Sequence, residues 1–240
     1  MKLFIGDDYD AMSKKAAEDV IALMQSIKDP LLCPASGHSP AGLYKEIAER
    51  VKQKQADISD WYFVALDEWV GLNEDDHGSC RYHLNKELFE LLNIDNSRIC
   101  FFNGRENDLS KECETAESFI EKHGGIHVAI LGIGMNGHIG MNEPGTSADL
   151  RTHVIDLHPI TREVGQKYFK EEQELKKGIT LGMATLLEAR HIIFLAGGSH
   201  KAEIIKKFME EEISEQLPAT LLRNHPGLRI YLDAGAAQML

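Results

Sequence analysis

The 240-residue chain is short of cysteine, of positive charge and of long apolar runs, and each shortage closes off a class of protein. Its four cysteines, Cys33, Cys80, Cys100 and Cys113, include no C-x-x-C pair. A chain this long needs no disulfide staples, so a reduced, cytoplasmic protein is expected. Twenty-six lysines and arginines face 38 aspartates and glutamates, a formal net charge of −12. That surplus argues against nucleic acid and anionic membranes as partners, although a local gathering of positive groups can still hold a small anion. The opening residues, Met1-Lys2-Leu3-Phe4-Ile5-Gly6-Asp7-Asp8, lack the apolar core of a signal peptide. No run approaches the ~18 apolar residues of a membrane span. Nor is there a linker, a repeat or a low-complexity stretch, so 1–240 reads as a single domain with a substantial core.

What is present is an alternation of short apolar runs and amphipathic stretches. Strands are expected at 2–5, 31–33, 61–66, 98–102, 127–131, 153–157, 178–182, 191–196 and 228–232. Helices are expected at 10–28, 39–54, 81–92, 108–123, 160–170, 183–190, 199–213 and 218–224, with 67–80 as a polar loop. Ser39-Pro40 reads as the start of its helix, with Ser39 as N-cap and proline in the first turn. Apolar strands followed by helices imply an α/β fold: a mostly parallel, doubly wound, Rossmann-like sheet with helices on both faces. Such sheets bind ligands outside the carboxyl ends of their strands. Four loops therefore carry the functional reading.

In the first, Pro34-Ala35-Ser36-Gly37-His38-Ser39-Pro40, a glycine turn, two hydroxyls and a helix start suit a phosphate or a plain strand–helix turn. In the second, Asp67 and Glu68 leave a buried strand together, and one of them is placed to serve as a base in the cleft or to end the strand in solvent. The third, Gly132 to Gly145, contains a literal G-x-G-x-x-G with Asp156 downstream. We reject a dinucleotide site there, because two further glycines and Pro144 leave no room for the required helix. Its glycines let the backbone approach a ligand, while His138 and Glu143 offer an acid/base and its partner. The fourth, Gly197-Gly198-Ser199-His200-Lys201, offers an anion nest and a point charge but lacks the P-loop spacing. His77, Cys80 and His83 have metal-like spacing without a fourth ligand, and no metal is expected.

Taken together, Leu-Asp-Glu-Trp-Val-Gly-Leu at 66–72, Gly-His-Ile-Gly-Met-Asn-Glu-Pro at 137–144 and Gly-Ser-His-Lys at 198–201 resemble the glucosamine-6-phosphate deaminase/isomerase family. The resemblance runs over nearly the whole chain. Relatives of that family include 6-phosphogluconolactonase and galactosamine-6-phosphate isomerase. It implies an enzyme that isomerises and deaminates a hexosamine 6-phosphate, a hydrolase in that it releases ammonia. It implies no cofactor, a small sugar phosphate as partner and a possible homo-oligomer. Asp67 would move the proton between C2 and C1, His138 would open the ring and Glu143 would hold His138. Ser36, Gly37, His38 and Ser39 would line the phosphate, joined by Lys201.

Three departures from the family pattern stand out. Asn136 replaces the aspartate usual two positions before the histidine, so it cannot relay a proton. Lys167 stands where the family has a phosphate-binding arginine and lacks its bidentate fork. His153 and Ile155 replace basic residues of the allosterically activated deaminases, and the chain stops at Leu240 without their longer tail. The N-G-H loop, Leu-Asp-Glu-Trp-Val and Gly178-Ile179-Thr180-Leu181-Gly182 resemble the galactosamine branch more closely. The alternatives are a lactonase-like hydrolase and a non-catalytic sugar-phosphate sensor.

Overall fold

The computed structural model describes all 240 residues. Its ten strands are β1 (Lys2–Gly6), β2 (Leu31–Cys33), β3 (Tyr62–Val64), β4 (Asp67–Trp69), β5 (Ile99–Cys100), β6 (Val128–Leu131), β7 (His153–Asp156), β8 (Lys177–Thr180), β9 (His191–Ala196) and β10 (Leu228–Asp233). Seven of them form one sheet in the order β1-β10-β9-β6-β2-β3-β5, every pair parallel. Its central strands are apolar because helices cover both faces: β2 and β6 are buried along their whole length. This is the expected α/β, Rossmann-like architecture.

The helices follow their local signals. Tyr9–Met24 starts where Asp8 accepts a hydrogen bond from the Ala11 amide, and it buries Met12, Ala16, Val20 and Met24. Leu109–Lys122 ends at His123, and the Gly125 amide closes back on the Ile120 carbonyl. The helix expected from 81 starts at Cys80 and reaches Leu92, but its middle turn, Asn85–Phe89, is a π-helix. The stretches expected as helices at 160–170, 199–213 and 218–224 are wholly or partly 3₁₀.

One expectation is corrected. Residues 67–69 are not loop: β4 pairs antiparallel with β8, which pairs antiparallel with β7, in a separate three-stranded sheet. Neither β7 nor β8 joins the parallel sheet. Two acids in a row hid β4, since strand signals rest on apolar and β-branched residues.

In the large sheet the chain leaves β2 toward β3 and leaves β6 in the opposite direction, toward β9. Between β2 and β6 the winding therefore reverses, and the loops after these two strands part to leave a crevice. Those loops are 34–37 and 132–146.

Candidate active site

That crevice is a cleft of about 170 Å³, open to solvent. Its walls include Ser36, Gly37, His38, Ser39, Asp67, His138, Lys167 and Lys201. Eight of the ten residues singled out in the sequence thus converge on one cleft. Asn136 and Glu143 stand behind His138 instead.

Asp67 and Glu68 are neighbours on a strand, so their side chains leave it on opposite faces. Asp67 faces the cleft and is almost wholly buried. Burial pushes its carboxyl up to about 6, against a hydrogen bond from the Cys80 thiol and the charge of His138. Glu68 turns away and accepts from the amides of Trp69 (2.8 Å), Cys80 (2.9 Å) and Arg81 (2.8 Å). It therefore ties β4 to the start of the helix at Cys80, next to the Ser79 cap. Burial pushes Glu68 up to about 7, with the three amides pulling the other way.

His138 sits with its ring against Gly134, where a Cβ would fall 2.3 Å from Nε2. Its Nδ1 lies 3.4 Å from Glu143 Oε2 and 3.1 Å from Thr161 Oγ1. Asn136 Nδ2 donates to the same Glu143 Oε2 at 2.8 Å, and the His138 amide donates to Asn136 Oδ1 at 3.2 Å. The His158 amide donates to Glu143 Oε1 at 3.1 Å. Burial raises the Glu143 carboxyl, but hydrogen bonds from His138, Thr161 and Asn136 and the charge of His138 outweigh it and hold the group at about 2. The carboxylate stays ionised, and a neutral donor, Asn136, occupies the place of a second acid. The glycines of this loop serve internal packing as well as access: Gly140, at φ +59°, lies under Thr180 and Leu66.

The helix after β2 begins one residue earlier than expected, at His38. Gly37, not Ser39, takes the N-cap position at φ +110°, and no side chain caps the turn. The positive end of the helix thus opens toward the cleft. The second expected nest differs. The Gly198 amide is spent on Asp233 Oδ2 at 2.8 Å, so Gly197-Gly198 does not offer it to an anion. Lys201 still lines the cleft, with Nζ donating to the Ile133 carbonyl at 2.6 Å. Burial and then the neighbouring Lys167 charge push Lys201 down to about 8. His200 is lowered by burial and by Lys201, Lys167 and His38 in turn. His38, Lys167, His200 and Lys201 are thus gathered in one place on a protein of net charge −12.

His77, Cys80 and His83 do not converge. No three His, Cys, Asp or Glu side chains in the protein are placed to hold a metal ion together. His77 packs on Tyr82, at 4.4 Å between rings, and His83 pairs with Glu87 at 3.5 Å. All four cysteines are free. No helix is long and apolar enough to cross a membrane. Cys80, His83, Thr161, Tyr168 and His200 also line the cleft and were not singled out as site residues. Thr161 and Tyr168 lie in a stretch read only as a short helix, with no glycine or charge pattern to mark them.

Comparison with known proteins agrees with this architecture. Residues 7–230 match the family described as glucosamine-6-phosphate isomerases/6-phosphogluconolactonase. A glucosamine-6-phosphate deaminase of Geobacillus sp. (strain WCH70) is 39% identical, covering 100% of this chain and 96% of the relative. The enzyme of that name from Clostridium perfringens (strain 13 / Type A) is 35% identical over the full length of both. Among solved structures, a monomeric glucosamine-6-phosphate deaminase superposes with a TM-score of 0.95 at 34% identity over the whole of both chains. A 6-phosphogluconolactonase from Thermotoga maritima shares the fold, at TM-score 0.76 and 19% identity. The chain belongs to the glucosamine-6-phosphate isomerase/6-phosphogluconolactonase family.

Proposed function

We propose that the protein isomerises and deaminates a hexosamine 6-phosphate, giving a ketose 6-phosphate and ammonia. The observation that carries this reading is the meeting, in one cleft, of a buried carboxyl, a histidine–carboxylate pair and a gathering of basic side chains, Lys167, Lys201, His38 and His200. Full-length relatives named for that deamination support it.

The substrate phosphate lies on Ser36, Gly37, His38 and Ser39, facing Lys167 and Lys201. A phosphate dianion there offsets the positive charge and the burial that lower Lys201 and His200, and binding should draw protons onto both. Anchoring the phosphate fixes the far end of the sugar near Asp67 and His138. His138, oriented by Glu143 and Thr161, moves the proton of the C1 hydroxyl to the ring oxygen as the ring C1–O bond breaks and the C1 carbonyl forms. Asn136 has no proton to relay at this step; it holds the Glu143 carboxylate in place. Asp67 takes the C2 proton to give an enolamine, then returns it to C1. The nitrogen lone pair moves in to form a C2 iminium, water adds to C2, and the C–N bond breaks to release ammonia. Hexosamine phosphate and water thus balance ketose phosphate and ammonia, and the substrate's own carbonyl and imine carry the electrons.

The test is ammonia release from glucosamine 6-phosphate and galactosamine 6-phosphate, assayed beside hydrolysis of 6-phosphogluconolactone. Release from at least one hexosamine phosphate is expected. Lactone hydrolysis with no ammonia from either sugar would replace this reading with the lactonase one.

A further inference from the structure

One cleft group takes no part in the proposed chemistry. Tyr168 closes the 3₁₀ turn Gln166–Tyr168, and its ring forms part of the cleft wall. The phenol oxygen lies 3.4 Å from the point where a Cβ on Gly37 would stand, beside the phosphate loop. It also feels the charge of Asp67, on the side where the proton transfer takes place. The hydroxyl therefore hangs between the two ends of the site. No hydrogen bond within the protein engages it: burial, with the Asp67 and Glu87 carboxylates, accounts for its rise to about 12. It is a neutral O–H at any working pH, able to donate and to accept.

The ring is held from several directions. His83 meets it nearly edge-on, 5.4 Å between centroids, and Lys167 Nζ lies 5.0 Å from its centroid. Gln166 exchanges two hydrogen bonds with the Gln173 backbone, at 2.7 and 3.0 Å, which pins the turn. Phe169 and the Tyr168 carbonyl both pack against Gly78. A free hydroxyl on so fixed a ring is a recognition group, since an unpaired polar atom gains most when a ligand supplies its partner.

A hexose phosphate anchored at C6 and reacting at C2 lays its C4 carbon midway along the cleft. We propose that the Tyr168 hydroxyl hydrogen-bonds the C4 hydroxyl of the sugar and so sets which C4 epimer the enzyme prefers. This rests on the hexosamine 6-phosphate reading above. Glucosamine and galactosamine 6-phosphates differ only in the direction of that hydroxyl, so a fixed partner meets one and misses the other.

The variant is Tyr168→Phe, which keeps the ring and its contacts with His83 and Lys167; unchanged thermal unfolding checks the fold. The native enzyme should discriminate the two epimers in kcat/KM by about tenfold, one neutral hydrogen bond's worth. The variant should shrink that ratio by about fivefold or more, through the preferred epimer alone. A native enzyme that does not discriminate, a ratio unmoved by the change, or an equal loss for both epimers would overturn the proposal. If neither amino sugar yields ammonia, the deaminase reading fails separately. Calorimetric binding of fructose 6-phosphate and tagatose 6-phosphate, also C4 epimers, then tests Tyr168 by the same ratio of affinities.

Discussion

The seven parallel strands pack into a cluster of 55 buried apolar residues, whereas the region of the three antiparallel strands adds a cluster of five: Trp69, Cys80, Met141, Leu157 and Leu175. In the large sheet, β6 and, after His191, β9 are runs of Val, Ala, Ile, Leu and Phe, placed by burial and by the backbone ladder that joins them, with no polar side chain needed after His191. In the small sheet, polar contacts do much of the placing. The Thr180 hydroxyl bonds to the Leu181 carbonyl and takes the Met141 amide, and Glu68 takes three amides. Burial is non-directional and strong in sum, and it fixes where whole elements lie. Hydrogen bonds fix where single atoms point. The cleft opens at the seam, with loops from the large sheet on one side and Asp67 from the small sheet on the other. The apolar region supplies stability, and the polar region holds a carboxyl in a state that costs stability.

The largest effect should come from Asp67→Asn. Loss of a general base lowers turnover by about 10²–10⁴-fold, read as ammonia release at saturating substrate, with binding kept. A fully active variant would sink the assignment. The same change should stabilise the fold. A carboxyl at about 6 in the native state and about 3.9 unfolded binds its proton more tightly when folded. Native stability therefore falls as pH rises through that window, and the penalty is complete above it. Asp67→Asn removes a penalty on the order of 1–3 kcal/mol, so thermal unfolding at pH 8 should move up by several degrees. The gain should vanish near pH 4. A variant that unfolds at a lower temperature at pH 8 would break the contrast between the two regions. Because Asp67 works ionised, kcat/KM of the native enzyme should fall as pH drops below about 6.

Phe194→Ala tests the other region. Phe194 is fully buried in β9 and stacked on Phe208 at 4.6 Å. Its truncation should cost about 3–5 kcal/mol, read by urea unfolding, while the folded fraction keeps the native kcat. A drop in kcat per folded molecule would mean that the large sheet transmits strain into the cleft.

The same division explains what the sequence revealed. Val128 to Leu131 and His191 to Ala196 announce themselves as buried strands by composition, and the glycines at 132–145 announce a loop. Asp67, His138 and Lys201 could be chosen because loops after strands in such a sheet face the ligand, whereas Lys167 was reached only through the family resemblance. β4 could not be read, because an acidic strand is stabilised by partners distant in sequence, namely Thr180 and Gly178 on β8. The Gly198 amide was misread for the same reason: its partner, Asp233, lies 35 residues away. Tyr168 and Thr161 were missed since only the folded chain brings the 159–168 segment over the cleft. Local signals disclose elements; they do not disclose which orphan groups those elements satisfy.

The smallest effect, and the sharpest test of the polar region, is Asn136→Asp. It restores the acid usual at this position in the family that the chain resembles. The Nδ2 atom of Asn136 donates to Glu143 Oε2 at 2.8 Å. An aspartate there removes a donor and sets a second carboxylate against the first. Glu143, held at about 2 by its donors, should then rise. One proton comes to be shared between the two acids, which loosens the hold on His138 Nδ1. Ring opening should slow by about 2–10-fold at pH 7, the worth of one such hydrogen bond, and the acid limb of the pH–rate profile should move to higher pH. If activity rises instead and the acid limb stays in place, asparagine is the weaker choice here, and this carboxylate pair works best with both acids. Asparagine at 136 would then mark a site that has given up rate, not one that has replaced a charge by a donor.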